Sequence, residues 1–261
     1  MTKEWDAAAY HQLSNPQVGW GEGVLARLPL RGDETVLDAG CGTGRLTEKL
    51  LERLPGGRVI ALDASSQMIA AARQHLARFG DRVEFHRRDL LDLGLDAAVD
   101  LVFSTATLHW VLDHPRLFAG FHRALVPGGR LHAQCGGGPN LRGLMERVHA
   151  VMAKAPFDGY FIDYADPWEF ADASTTAARL QAAGFVDVEA NLVAAPTHYD
   201  DERIYSDFIE KAVLRLQVDR LPEELRAKFL EEIVARVPRP LVLDYWRLNL
   251  SGRKILTGGS P

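Results

Sequence analysis

Val36-Leu37-Asp38-Ala39-Gly40-Cys41-Gly42-Thr43-Gly44 sets three residues without side chains directly behind a short apolar run. Thr35-Val36-Leu37 reads as a buried strand. Arg45 to Leu54 carries Leu46, Leu50, Leu51 and Leu54 on one helical face and is stopped by Pro55-Gly56-Gly57. Glycines between a strand and a helix allow a tight turn and let a ligand lie against the backbone. The helix that follows directs its free N–H groups at the same spot. Such a loop serves a dinucleotide or an adenosyl group, and spacing separates the two. In the dinucleotide pattern G-x-G-x-x-G, counting from Gly42 puts Thr47 where the third glycine belongs. Counting from Gly40, the third glycine comes one residue early, and Asp38 before the loop is no part of that pattern.

Outward from the loop, apolar runs alternate with amphipathic ones. Arg58 to Leu62 reads as a second strand ending at Asp63, and Ser65 or Ser66 caps a helix with Met68, Ile69, Ala72 and Leu76 on its apolar face. Arg82 to Phe85 and Val99 to Phe103 read as further strands, Pro115 to Leu125 as a helix, and Arg130 to Gln134, after the turn Pro127-Gly128-Gly129, as a fifth strand. Continuous apolar strands separated by helices imply a parallel α/β sheet covered on both faces. Ligands bind such sheets at the carboxyl ends of the strands, where strand order reverses. Beyond this, Pro156 to Phe170 is aromatic and loop-like, Thr175 to Ala183 a short helix, and Val186 to Val193 a strand. Helices over Asp201 to Val218 and Pro222 to Val237 and a last strand over Leu241 to Leu250 complete the pattern. One domain over residues 1–261 is expected, with a cofactor-binding core at 30–135 and a helical lid inserted at 200–238.

Of the 261 residues, 47% are hydrophobic, enough for one large core with a cap, and the net charge is −5. Scattered Lys and Arg on an acidic chain form no basic face, which argues against a nucleic-acid partner. Two cysteines, Cys41 and Cys135, stand at no metal-ligand spacing. Without a signal-like start or a membrane-length apolar run, the chain is expected in the reducing cytoplasm. The Gly- and Ser-rich tail Thr257 to Pro261 is expected to be disordered.

The motifs, taken as an ordered set, resemble those of the class I S-adenosylmethionine-dependent methyltransferases. The resemblance implies a seven-stranded Rossmann-like sheet with S-adenosylmethionine as cofactor, and it covers roughly residues 30 to 135. Asp38, Gly40, Cys41, Gly42 and Gly44 then form the cofactor loop. Asp63 with Ala64 meets the ribose hydroxyls, a reading that outweighs a mere helix cap once the loop is considered. Arg88-Asp89-Leu90 matches the stretch at the adenine, with Asp89 accepting from its amine. Asp100-Leu101-Val102-Phe103-Ser104 matches the fourth strand, with Ser104 at the cofactor. Met68 either packs on the adenine or fills core.

The sequence after the fourth strand speaks to the acceptor. Ser104-Thr105-Ala106-Thr107 lacks the Asn/Asp-Pro-Pro-aromatic motif of amino methyltransferases, and Ser104 is not the carboxylate that metal-dependent catechol types need, so no metal is implied. Leu108-His109-Trp110 resembles the stretch in trans-aconitate, malonyl-carrier-protein, juvenile hormone and plant salicylate-type carboxyl methyltransferases. In the last group an indole N–H and an upstream glutamine hold the substrate carboxylate; Trp110 aligns with the indole and Gln17 stands for the glutamine. Two neutral donors orient a carboxylate without a tight ion pair that would blunt it. The expected activity is methyl-ester formation on a small-molecule acid. The alternatives are a hydroxyl acceptor with His109 as base and, from another class, an NAD-dependent oxidoreductase. His109 otherwise packs beside the methionine part of the cofactor, and Trp110 otherwise fills core. Phe157 to Phe170 lines an apolar pocket or packs the lid. If it lines the pocket, an apolar or aromatic acid is expected, with Arg142 and Arg147 as solvated helix charge or as partners of a second carboxylate.

Overall fold

In the computed structural model, residues 15–256 are described; the start of the chain through Ser14 and the tail Thr257 to Pro261 lie outside the described residues. Helix α1 (Asn15–Ala26) leads to strand β1 (Thr35–Ala39), in which Val36, Leu37, Asp38 and Ala39 are all buried. Helix α2 (Arg45–Glu52), β2 (Arg58–Asp63), α3 (Ser66–His75), β3 (Val83–Arg87), β4 (Val99–Thr105), α4 (His114–Ala124) and β5 (Leu125–Gly136) follow. The caps are local: the Ser65 hydroxyl accepts from the Met68 N–H, and the Asp113 carboxylate accepts from the Arg116 N–H. Helix α5 (Arg142–Met152), α6 (Ala173–Ala182), β6 (Phe185–Ala194), β7 (Thr197–Tyr199), α7 (Glu202–Phe208), α8 (Arg215–Val218), α9 (Glu223–Val234), β8 (Leu241–Leu243) and β9 (Trp246–Lys254) complete the chain.

Seven strands join in the order β3-β2-β1-β4-β5-β9-β6. Strands β1 to β5 pair in parallel, and β9 runs antiparallel between β5 and β6. Order reverses between β1 and β4, which is where ligands settle in such sheets. The seven-stranded α/β sheet with helices on both faces is the expected fold. None of the described helices is long and apolar enough to cross a membrane.

Three expectations need correction. The run Leu241 to Leu250 is two strands, because the chain turns at Asp244 to bind the start of α5: the Asp244 carboxylate accepts from Gly143 N at 2.9 Å and its carbonyl from Leu141 N at 3.1 Å. β8 pairs with β7 in a separate ribbon, and β9 enters the main sheet. Second, β5 begins at Leu125 rather than Arg130. Its register with β4 jumps from Val99–Leu125 to Leu101–Arg130, and Pro127-Gly128-Gly129 loops out between, with Gly128 at φ +80°. Third, the helix expected over Asp201 to Val218 breaks at a wider turn, in which Leu214 N reaches back to Ile209 O at 2.6 Å. Helix α5 is absent from the expectations although Leu144, Met145, Val148, Val151 and Met152 encode it, all buried. It shares a core with Tyr205, Phe208, Phe229 and Ile233 from the helices expected as a lid. The covering body therefore has a hydrophobic core of its own.

Candidate active site

A cavity of about 650 Å³ opens at the carboxyl ends of β1, β2 and β4. Gly40, Gly42 and Gly44 all hold positive φ, at +85°, +54° and +86°, which only glycine adopts without strain. Each has a separate task. A Cβ on Gly40 would lie 2.3 Å from the Thr107 side chain, so this glycine lets the segment leaving β4 cross the loop. A Cβ on Gly42 would meet nothing within 4 Å, so the backbone there faces open cavity. Gly44 caps α2 and packs on Leu76 and Ala72, off the cavity wall.

Asp63 closes the loop from the next strand. Its two carboxylate oxygens accept from Gly42 N at 3.0 Å and Ser65 N at 2.9 Å, while the residue still lines the cavity. The helix-cap task belongs to Ser65 and leaves Asp63 facing the ligand space. Asp38, only 3% exposed, accepts from Thr47 Oγ1 at 2.6 Å. Burial, with the Asp63 charge nearby, raises its pKa to about 7. Cys41, Ala64, Met68, Asp89 and Leu90 also line the cavity. Ser104 does not: it is fully buried and donates to Ala39 O at 2.6 Å, tying β4 to β1.

The wall expected to meet the acceptor is built on the turn Leu108–Trp110. His109 Nδ1 accepts from Gly136 N at 3.4 Å. Half-buried by surface, the ring nevertheless lies deep in the cavity wall. Lost solvent, and then the charges of Arg247 and His114, push its pKa down to about 3. Aromatic rings continue the wall, with His109 5.2 Å from Trp110 and 5.7 Å from Phe170, and Trp168 5.6 Å from Trp110. Glu169 N donates to His109 O at 2.8 Å, and the Glu169 carboxylate accepts from Arg179, which also donates to His114 Nδ1. His114 Nε2 therefore carries the proton that binds Leu108 O at 3.1 Å, and the turn is held from both sides.

The expected acceptor residues divide. Gln17 falls in α1, with its side chain outside the described residues. The aromatic stretch is split: Phe157 and Phe161 are buried in the helical core, while Trp168 and Phe170 line the cavity. Arg142 is exposed, and Arg147 is spent on the carbonyls of Gly143 and Arg236, so neither faces the cavity. Asn140, Tyr245 and Arg247 line it unforeseen. For Arg247 a signal existed, since it is the one cation in the run Leu241 to Leu250.

Residues 36–129 match the model of a family described as a methyltransferase domain. A trans-aconitate 2-methyltransferase of Variovorax paradoxus is 33% identical over 265 residues, 94% of this chain and 94% of its own length. One from Methylobacterium nodulans is 30% identical over 96% of this chain and 98% of its own. Among solved structures, the YcgJ protein of Bacillus subtilis superposes with a TM-score of 0.63 at 18% identity, covering 91% of this chain and 99% of that one. A phosphoethanolamine N-methyltransferase of Haemonchus contortus, solved with S-adenosylhomocysteine, gives 0.62 at 17% identity, covering 95% of this chain and 57% of that one.

Proposed function

The chain belongs to the class I S-adenosylmethionine-dependent methyltransferases, and from that premise we propose that it converts a small-molecule carboxylic acid to its methyl ester. When bound, S-adenosylmethionine supplies a methyl group already activated on a sulfonium. The cavity suits this cofactor: open space over Gly42 admits a ligand against the backbone, and Asp63 faces the same space to accept from ribose hydroxyls. Asp38 sits where an ammonium group would return it to the ionised state that burial disfavours. Met68, Asp89 and Leu90 take the adenine end. The buried free thiols Cys41 and Cys135 suit a reducing compartment, and we place the chain in the cytoplasm.

The observation that carries the acceptor reading is the state of His109. A ring whose pKa is held near 3, and whose Nδ1 already accepts a backbone hydrogen, is a poor base at neutral pH. A hydroxyl acceptor needs a base; a carboxylate, ionised well below pH 7, does not. Methylation of an oxygen that is already ionised would require no residue of the chain to take up a proton. The residues have only to align the acid and exclude water. In this reading Trp110 donates its indole N–H to the carboxylate, and the His109, Phe170 and Trp168 rings wall the site. The names of the relatives, trans-aconitate 2-methyltransferases, agree with an acid acceptor. The test is the lability of the product. Methyl-labelled S-adenosylmethionine incubated with a panel of acids should give label that mild alkali releases as methanol, with one S-adenosylhomocysteine per methyl. An alkali-stable ether or amine would refute the proposal.

A further inference from the structure

The aromatic wall comes from two separate pieces of chain, the turn Leu108–Trp110 and the stretch from Trp168 to Phe170, and neither belongs to a strand or an α-helix. Trp168 and Phe170 line the cavity, whereas Glu169 between them does not. Its carboxylate accepts instead from Arg179 Nη1, on α6, at 2.7 Å. The same nitrogen donates to His114 Nδ1 at 3.1 Å, and His114 Nε2 binds Leu108 O at 3.1 Å. Backbone closes the circuit, since Glu169 N donates to His109 O at 2.8 Å. Arg179 is itself off the cavity, yet its Nη1 commits one hydrogen to each half of the wall.

Burial keeps the His114 ring below the ordinary histidine range, so at neutral pH it is uncharged and carries a single ring hydrogen. An arginine only donates, so Nδ1 must accept and that hydrogen must sit on Nε2. The opposite tautomer would set a lone pair against Leu108 O and a hydrogen against Arg179. Leu108 O lies in the turn that Trp110 N closes by donating to Thr107 O at 2.9 Å, so a shift at this carbonyl displaces the His109 ring and the Trp110 indole together. We propose that Arg179 is a positioning residue of methyl transfer, which fixes the tautomer of His114 and the place of Glu169 and so sets the aromatic wall in line with the methyl group. The proposal rests on the acceptor reading above, in which this wall meets the acid. Its action is on alignment rather than affinity. Without Arg179 an acid still meets the same rings, but a small displacement of them takes its oxygen off the line of attack.

The test is Arg179→Met, which keeps an apolar stem and removes the donors. In nitrogen-15 spectra of the S-adenosylhomocysteine-loaded protein, wild-type His114 should carry its hydrogen on Nε2 alone, and the variant should show exchanging tautomers. The indole N–H signals of Trp110 and Trp168 should shift with it. S-adenosylhomocysteine affinity should stay within about twofold, which shows that the variant folds. The acceptor for turnover is trans-aconitate or, if that is not taken, the acid of the panel above that is methylated fastest. Its kcat should fall about tenfold while KM stays within about threefold. On top of Trp110→Phe, Arg179→Met should cost no more than about a further threefold, because both act through one geometry. Arg179→Lys, which also offers several hydrogens from one nitrogen, should keep both the tautomer and most of kcat. An unchanged tautomer in Arg179→Met, or a full tenfold further loss on top of Trp110→Phe, would overturn the assignment. So would a lysine variant in which tautomer and rate part company, a comparison that decides alone if Arg179→Met does not fold. Spectra that respond as stated, with no acid of the panel esterified by wild type, would sustain the positioning and sink the methyl-ester reading. Ester formation by Arg179→Met at the wild-type rate would do the reverse.

Discussion

The two ends of the cavity are built in opposite ways. At the cofactor end, backbone does the work: Gly40 and Gly42 at positive φ, the ends of β1 and β2, and two carboxylates whose places follow from the strands that carry them. Nearly all of it comes from residues 38–68, one continuous piece of chain. At the acceptor end, side chains do the work, and they arrive from far apart: His109 and Trp110, then Trp168 and Phe170, then Ala212 and Val213, then Tyr245 and Arg247. A backbone cradle can serve one ligand across many proteins, whereas a wall of convergent side chains can be altered one residue at a time. The difference implies that cofactor affinity and acceptor choice respond to separate substitutions.

The largest separate effect is expected at Asp63. Asp63→Ala leaves the ribose hydroxyls without their acceptor and frees Gly42 N and Ser65 N, so S-adenosylhomocysteine affinity should fall by roughly 1–3 kcal/mol while the acid still binds. Titration calorimetry reads this, and an unchanged affinity would reduce Asp63 to a loop tie. Trp110→Phe probes the other end, keeping the ring but deleting the donor. It should lower kcat/KM for the acid about tenfold to a hundredfold, or about 1.4–2.7 kcal/mol, with cofactor affinity unmoved. A fall in both would mean the two ends are not independent. The smallest effect concerns pH. The Asp38 pKa lies at about 7 because burial disfavours its charge, and a cationic ligand group prefers the ionised form. S-adenosylhomocysteine affinity should therefore rise with pH and level off above 7, by roughly threefold to tenfold from pH 6 to 8. Asp38→Asn should abolish that dependence; a flat wild-type profile would show that Asp38 carries no ligand charge.

The same contrast explains what could be read in the sequence. Glycines after a strand, and acids at strand ends, have local reasons that survive without the fold, and so the cofactor wall was legible down to Asp63. Ser104 and Gly44 share those motifs but serve the scaffold, one binding Ala39 O and the other capping α2, a distinction that only packing reveals. For the acceptor wall, Phe157 and Trp168 look alike in one aromatic stretch, yet the first enters the helical core and the second the cavity. Arg142 and Arg147 drew notice by standing just after β5, whereas Arg247 arrives through β9, whose insertion between β5 and β6 no local pattern announces. The break at Asp244 is likewise long-range, made for the backbone of Leu141 and Gly143.

The central claim is that the acceptor end orients an ionised acid and does not use His109 as a base. The pH dependence of kcat/KM for wild type and His109→Ala, measured from pH 5 to 9 at saturating S-adenosylmethionine, tests it directly. With the His109 pKa near 3, the ring stays neutral throughout that range, and both proteins should give flat profiles above about pH 6, falling only as the acid itself protonates near pH 4 to 5. The variant should keep most of the rate. A wild-type profile that climbs through a pKa near 6.5, lost together with several orders of magnitude in His109→Ala, would contradict the claim and make the acceptor a hydroxyl.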